Sequence, residues 1–194
     1  MLIGLMGKSG SGKTLIGNLF KELDSRIQVI DVDKVGHKSH TDETVKARIR
    51  RDIGSMVFND DGSINRKKLS DIVFNDEEKM KALCDATYWY MVKEIDQMLK
   101  YADVTILDYA LLPKTKYFDL CDLKILVEAD YTSRSARVVA RDNISTEKYN
   151  QINSNSLDYS NLSFDYIITN NSDLTKLRKV VGEIYEKSIV SGQF

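Results

Sequence analysis

The chain has 194 residues, 42% of them apolar and 29% charged, enough to bury a full core without metal or disulfide support. Its 28 basic and 29 acidic side chains leave a formal net charge of −1, so no global positive field holds nucleic acid. No run reaches the about 18 apolar residues of a membrane helix, and a cytoplasmic protein with no membrane or nucleic-acid partner is expected.

Residues 2–6 (LIGLM) are an apolar run that stops at a glycine-rich turn. With no basic region before it, this reads as a buried parallel strand and not as a signal peptide. From Lys13 the period lengthens, and Ile16, Leu19, Phe20 and Leu23 share one helix face. A second strand follows at 27–31 (IQVID). From about 36 to 100 the period is mostly helical, broken by a turn at Asn59–Gly62, with another capped helix starting around Asp71–Glu77. His37 and His40 lack the partners of a zinc site and read as part of a surface loop.

The third and fourth strands are 103–108 (DVTILD) and 123–128 (LKILVE). A charged helix over 132–141 leads into a polar segment, Asn143 to Asn161, which suits a mobile cover better than a core element. A fifth strand, 164–169 (FDYIIT), ends at Asn170–Asp173. That turn caps a closing helix with Leu174, Leu177, Val180, Val181 and Ile184 on one face. Cys84 and Cys121 stand far apart, in no CxxC arrangement, and are expected as reduced, mostly buried thiols.

Strands separated by helices imply an α/β fold with a parallel five-stranded sheet and right-handed crossovers. The stretch between the second and third strands is too long for one crossover. The expected division is a core of 1–35 and 101–194, with a lid at about 132–161, and a helical insertion of 36–100.

The run from Gly7 to Thr14, GKSGSGKT, has the pattern GxxxxGK[ST] between a strand and a helix, as a phosphate-binding loop requires. Gly7, Gly10 and Gly12 permit the tight turn, and the backbone of Ser9, Gly10, Ser11 and Gly12 supplies amides to phosphate oxygens at the helix's positive end. Lys13 can reach the β- and γ-phosphates, and Thr14 can enter a Mg²⁺ shell. The loop indicates a nucleotide without fixing the reaction.

A GTPase would use the same loop, and Asp33-Lys34-Val35-Gly36 matches DxxG. It comes too soon after the loop to leave room for a first switch, and no NKxD run follows a later strand. A small-molecule kinase needs carboxylates near the acceptor and metal, and arginines over the transferring phosphoryl group. Asp31 and Asp33 end the second strand, projecting to opposite sides if the strand persists, and Asp108 ends the third. Arg134, Arg137 and Arg141 are spaced to share helix faces in pairs, as a lid over ATP or as a solvated face. In the insertion, Arg48, Arg50, Arg51, Arg66, Lys67 and Lys68 supply charge, and Tyr88, Trp89, Tyr90 and Met91 supply apolar surface, part of it core.

Along essentially its whole length the chain resembles the dephospho-coenzyme A kinase family. The resemblance is carried by LIGLMGKSGSGKT, IQVIDVDKVG, DGSINRKKLSDIVFNDEEKMKAL, LDYALLPK, EADYTSRSARVVARDN and FDYIITNNSDLTKL. It implies a P-loop kinase core with a helical acceptor subdomain and a lid, phosphorylating the 3′-hydroxyl of dephospho-CoA from ATP with Mg²⁺. By the same resemblance Asp33 is the general base, Asp31 supports the site, and Asp108 sits near the acceptor and metal waters. Lys13 and Arg141 face the phosphates, Arg137 and Asn170 lie on the nucleotide side, and Arg66 helps hold the acceptor.

The chain departs from that pattern in several places. Tyr88-Trp89 stand where the family usually has His-Pro, and Gln151 and Asn155 where it has Arg and Gln. Ala110 replaces a proline, Pro113-Lys114 an acidic position, and Lys8 a glycine. Two other readings fit the same residues: another small-molecule or nucleotide kinase of this fold, and a catalytically weak nucleotide-binding regulator.

Overall fold

The computed structural model describes residues 1–171 and 173–192; Ser172, in the predicted turn before the last helix, lies outside them. In chain order the elements begin with β1 (Leu2–Met6), α1 (Lys13–Leu23), β2 (Gln28–Asp31), α2 (Val32–Lys38), α3 (Glu43–Asp52), α4 (Arg66–Val73) and α5 (Glu77–Met98). They continue with β3 (Thr105–Asp108), α6 (Tyr117–Leu120), β4 (Leu123–Glu128), α7 (Tyr131–Asp142), α8 (Thr146–Ser154), β5 (Tyr166–Thr169) and α9 (Leu174–Ile184). The chain divides into two compact units, Met1–Asp31 with Ala102–Phe194, and Val32–Tyr101. Among the described residues no helix is long and apolar enough to cross a membrane.

The first unit is built on an all-parallel sheet ordered β2-β3-β1-β4-β5. β1 is central and buried from Ile3 to Met6, which explains its unbroken apolar run. Ile3, Leu5, Ile106, Ile125 and Val127 of the sheet pack with Ile16, Leu19 and Phe20 of α1 and Leu177, Val181 and Ile184 of α9. The buried faces are narrower than the sequence suggests: Leu23, Leu174 and Val180 are exposed. β3 and β5 also start later than expected, at Thr105 and Tyr166.

Parallel strands bring all carboxyl ends to one edge, and the register sets Leu5 and Asp31 on either side of Asp108. Strand order reverses beside β1, so the glycine loop that follows Met6 emerges at the crevice where such sheets bind ligands.

The polar segment after α7 is not a loose cover. α8 is a regular helix whose Ser145 cap accepts the Lys148 N–H, and its Tyr149 is wholly buried. One large apolar ring, anchored as described below, holds down a helix whose other residues are mostly polar.

The second unit is a helical cluster around α5, which packs against α2, α3 and α4. Ala86, Tyr90, Met91 and Ile95 of α5 are buried, as are Val32 and Val35, Val45 and Ile49, and Leu69 and Val73 on its neighbours. Asp42, Asn65 and Asp76 cap α3, α4 and α5. Asp33-Lys34-Val35-Gly36, the DxxG look-alike, lies inside α2 and forms no switch-type loop.

Candidate active site

Helix capping separates α1 from the other long helices. α3, α4, α5, α7, α8 and α9 each begin under a side-chain oxygen, from Asp42, Asn65, Asp76, Asp130, Ser145 and Asp173. At α1 no side chain takes that place: Gly12 stands at the cap in a left-handed conformation, φ 98°. The first-turn N–H groups and the positive end of the helix dipole are thus left to an anion. Only glycine fits there, because a Cβ would collide with the side-chain amide of Asn170.

Three polar side chains gather beside this helix end. Lys13 Nζ donates to the Gly7 carbonyl at 3.1 Å and lies 4.0 Å from Asp108 Oδ1. The Thr14 hydroxyl donates to Asp108 Oδ2 at 2.9 Å, and Asp108 is buried. Thr14 and Asp108 offer the hard oxygen donors a Mg²⁺ ion takes, while Lys13 and the α1 terminus suit phosphate. Among the described residues no three His, Cys, Asp or Glu side chains stand together as a metal site, so such an ion would also draw on water and phosphate oxygens. The Ser11 hydroxyl, wholly buried in the loop, finds no protein partner. These features fit a nucleotide phosphate with its divalent ion.

The loop is clamped from two directions. Asn170, buried at the end of β5, donates from Nδ2 to the Ser11 carbonyl at 2.8 Å. Arg137 donates to the Gly10 carbonyl at 3.1 Å and to the Asn170 carbonyl at 3.0 Å. The structure therefore brings both nucleotide-side candidates to the loop, where they hold its backbone.

The other two arginines of α7 have different fates. Arg134 is buried and donates to the Ala129 carbonyl (3.0 Å), the Tyr149 hydroxyl (2.8 Å) and Asn153 Oδ1 (2.7 Å). It joins α7 to α8 and does not present its charge to the loop, so the expectation that it can serve as a lid arginine is corrected. Tyr131 adds a second link by donating to Asn150 Oδ1. Arg141 is exposed and paired with Asp142 through two bonds, at 2.7 and 2.8 Å. That pairing raises the Arg141 pKa and lowers that of Asp142. Gln151, where the family pattern has arginine, accepts from Lys148 Nζ within α8.

Tyr159 lies beside the loop. Its hydroxyl donates to the Ala110 carbonyl at 2.6 Å, and it lines a cavity of about 350 Å³ together with Lys8, Ser11, Val127, Asp130 and Asn171. Burial pushes its pKa up to about 12 against the opposing influence of the Gly7 N–H, so the phenol keeps its proton at ordinary pH. Neither Tyr149 nor Tyr159 is marked by any motif; their only sequence signal is two large rings in an otherwise polar run.

In the first unit Asp31 ends β2 beside Asp108. In the second, Asp33 is the second residue of α2 and is exposed, so the strand does not persist through it. Arg66 opens α4 behind a turn in which Asn59, Asp61, Ser63 and Asn65 bond to one another. Burial lowers the His40 pKa, assisted by the charges of Arg66 and His37, and its Nδ1 is buried without a partner. His40 is thus half-buried and not part of an open loop. Trp89 is half-buried under Arg48, 4.2 Å from the ring centre, with Lys93 at 5.5 Å. Cys84 is exposed, against expectation, because its position on α5 falls off the buried stripe, whereas Cys121 is buried.

Comparison with known proteins adds an independent line. A family model described as dephospho-CoA kinase matches residues 1–176. The dephospho-CoA kinase of Aquifex aeolicus is 30% identical over 191 residues, covering 95% of this chain and 96% of that protein. Among solved structures, TT1252 from Thermus thermophilus superposes with a TM-score of 0.76 at 21% identity, covering 95% of each chain. The dephospho-CoA kinase of Campylobacter jejuni gives 0.65 at 18% identity and 98% of each chain, a likeness of fold.

Proposed function

This chain belongs to the dephospho-CoA kinase family, and on that premise we propose that it transfers the γ-phosphoryl group of ATP to the 3′-hydroxyl of dephospho-CoA. The products are CoA and ADP, and the reaction is the last step of coenzyme A biosynthesis. The observation that carries the reading is the family match over residues 1–176 joined to an uncapped α1 flanked by Lys13, Thr14 and Asp108.

The chemistry is mainly positioning and charge stabilisation. The loop amides and α1 take the β- and γ-phosphate oxygens, and Lys13 exchanges the Gly7 carbonyl for a phosphate oxygen. Thr14 and Asp108 would hold Mg²⁺, which would supply neutralisation of phosphate charge. Asp33 accepts the proton of the 3′-hydroxyl as its oxygen bonds to the γ-phosphorus, and the bond to the β–γ bridging oxygen breaks to release ADP. Arg141 leaves Asp142 to meet the charge that develops on the transferring group. Asp31 and Arg66 serve the acceptor.

Purified protein with MgATP and a panel of acceptors tests the reaction: turnover of dephospho-CoA is expected, and turnover of a nucleoside monophosphate in its place sinks the assignment. Asp33→Asn is expected to lower kcat by about 10²-fold or more while the ATP dissociation constant stays within a few-fold. Equal losses in both would make Asp33 a binding residue.

A further inference from the structure

Lys13 and Thr14, which meet the phosphates and their ion, are held from two places in the first unit. One is the start of the phosphate loop, where the Gly7 carbonyl accepts from Lys13 Nζ. The other is the end of β3, where Asp108 accepts from Thr14 and lies near Lys13. The spacing between these two places decides whether both side chains reach one ligand together. Strand pairing fixes it as far as Leu5 opposite Asp108, with the Tyr109 N–H on the Leu5 carbonyl, and stops there.

Tyr159 stands where the pairing stops. Its hydroxyl donates to the carbonyl of Ala110, two residues after Asp108, and the Gly7 N–H approaches the same oxygen. One phenol thus sits between the backbone that leaves β1 and the backbone that leaves β3. The space beside Gly7 is filled, since a Cβ there would run into the Val127 carbonyl and the Ser11 hydroxyl. The ring of Tyr159 is itself held edge-on against Phe164, with centroids 6.1 Å apart at 72°.

We propose that Tyr159 is a positioning residue of the phosphate-binding site, its hydroxyl fixing the Gly7 end of the loop against the Ala110 backbone so that Lys13 and Thr14 address the same triphosphate. It touches neither nucleotide nor acceptor and acts through Gly7 and Ala110. The inference rests on the P-loop kinase reading of the site and is independent of which hydroxyl compound accepts the phosphoryl group.

The test is Tyr159→Phe in the full chain, which keeps the ring and removes one oxygen, set against Phe164→Leu, which loosens the ring and keeps the oxygen. MgATP and ADP binding are measured without acceptor, together with thermal midpoints, and then kcat and KM for both substrates. Tyr159→Phe is expected to weaken ATP and ADP binding by about fivefold to tenfold, the range of one lost hydrogen bond, with KM for dephospho-CoA within about twofold. Phe164→Leu is expected to lower the thermal midpoint at least as much while nucleotide binding stays near wild type. Wild-type nucleotide binding in Tyr159→Phe, or an equal loss in both variants at equal stability, overturns the proposal. Because nucleotide binding is read without acceptor, a wrong acceptor leaves this result intact and appears only in the turnover measurements.

Discussion

The phosphate loop and the α7–α8 segment, the proposed lid, sit side by side in the first unit and treat their polar groups in opposite ways. The loop leaves groups for a ligand: α1 has no side-chain cap, and the buried Ser11 hydroxyl has no protein partner. In the lid segment, Arg134 is engaged by three internal acceptors, Arg137 by two carbonyls and Arg141 by Asp142. On the proposed reaction, the donor would meet a preformed cradle, whereas Arg141 would contribute only after exchanging Asp142 for another anion. The loop is then expected to govern nucleotide affinity and Arg141 to govern turnover.

The largest effect belongs to the loop. Lys13→Ala is expected to lower kcat/KM by about 10³-fold, with most of the ATP affinity lost as well, read by steady-state kinetics and direct binding. Arg141→Ala comes next, lowering kcat by about 10²-fold with KM for ATP within a few-fold. If KM rises in proportion, the lid is as preformed as the loop and the contrast fails.

Arg134→Met tests the structural half of the lid. It strands the Tyr149 hydroxyl, Asn153 and the Ala129 carbonyl, and is expected to cost about 1–3 kcal/mol in denaturant unfolding. An undiminished midpoint would show that α8 does not need the anchor. The smallest effect is chemical and sets the surface of one unit against the interior of the other. A thiol reagent at pH 8 should modify one cysteine quickly in the native protein, Cys84, and reach Cys121 only on unfolding. Burial pushes the Cys121 thiol up to about 12 from 9.0, so its contribution to stability is complete below about pH 9 and is lost as pH climbs towards 12.

The elements visible in the sequence are those whose signal is local. β1 and β4 show at their true limits because a mostly buried strand is a mostly apolar run, and the loop shows because its glycines are fixed by backbone geometry. α8 does not show as a packed element, because a single tyrosine supplies its burial and the partner that makes this possible, Arg134, lies fifteen residues earlier. Three arginines spaced three and four apart read alike in sequence; only the fold separates the buried anchor, the loop clamp and the exposed lid charge. Asp31 and Asp33 read as one strand end, yet the helix begins between them at Val32. Tyr159 shows only as a large ring in a polar run, since its proposed role depends on two backbone groups that lie far from it in the chain.

The Asn170 clamp also has a bearing on how the protein is made. Its bond to Ser11 spans 159 positions, and its amide occupies the space that Gly12 leaves open. In chain order the glycine loop precedes that side chain by 159 positions, so a nascent chain carries the loop well before the residue that, with Arg137, holds its backbone. A nascent chain stopped before residue 170 carries the glycine loop without one of its two backbone clamps, so the loop is expected to reach its final geometry only once that residue has been made.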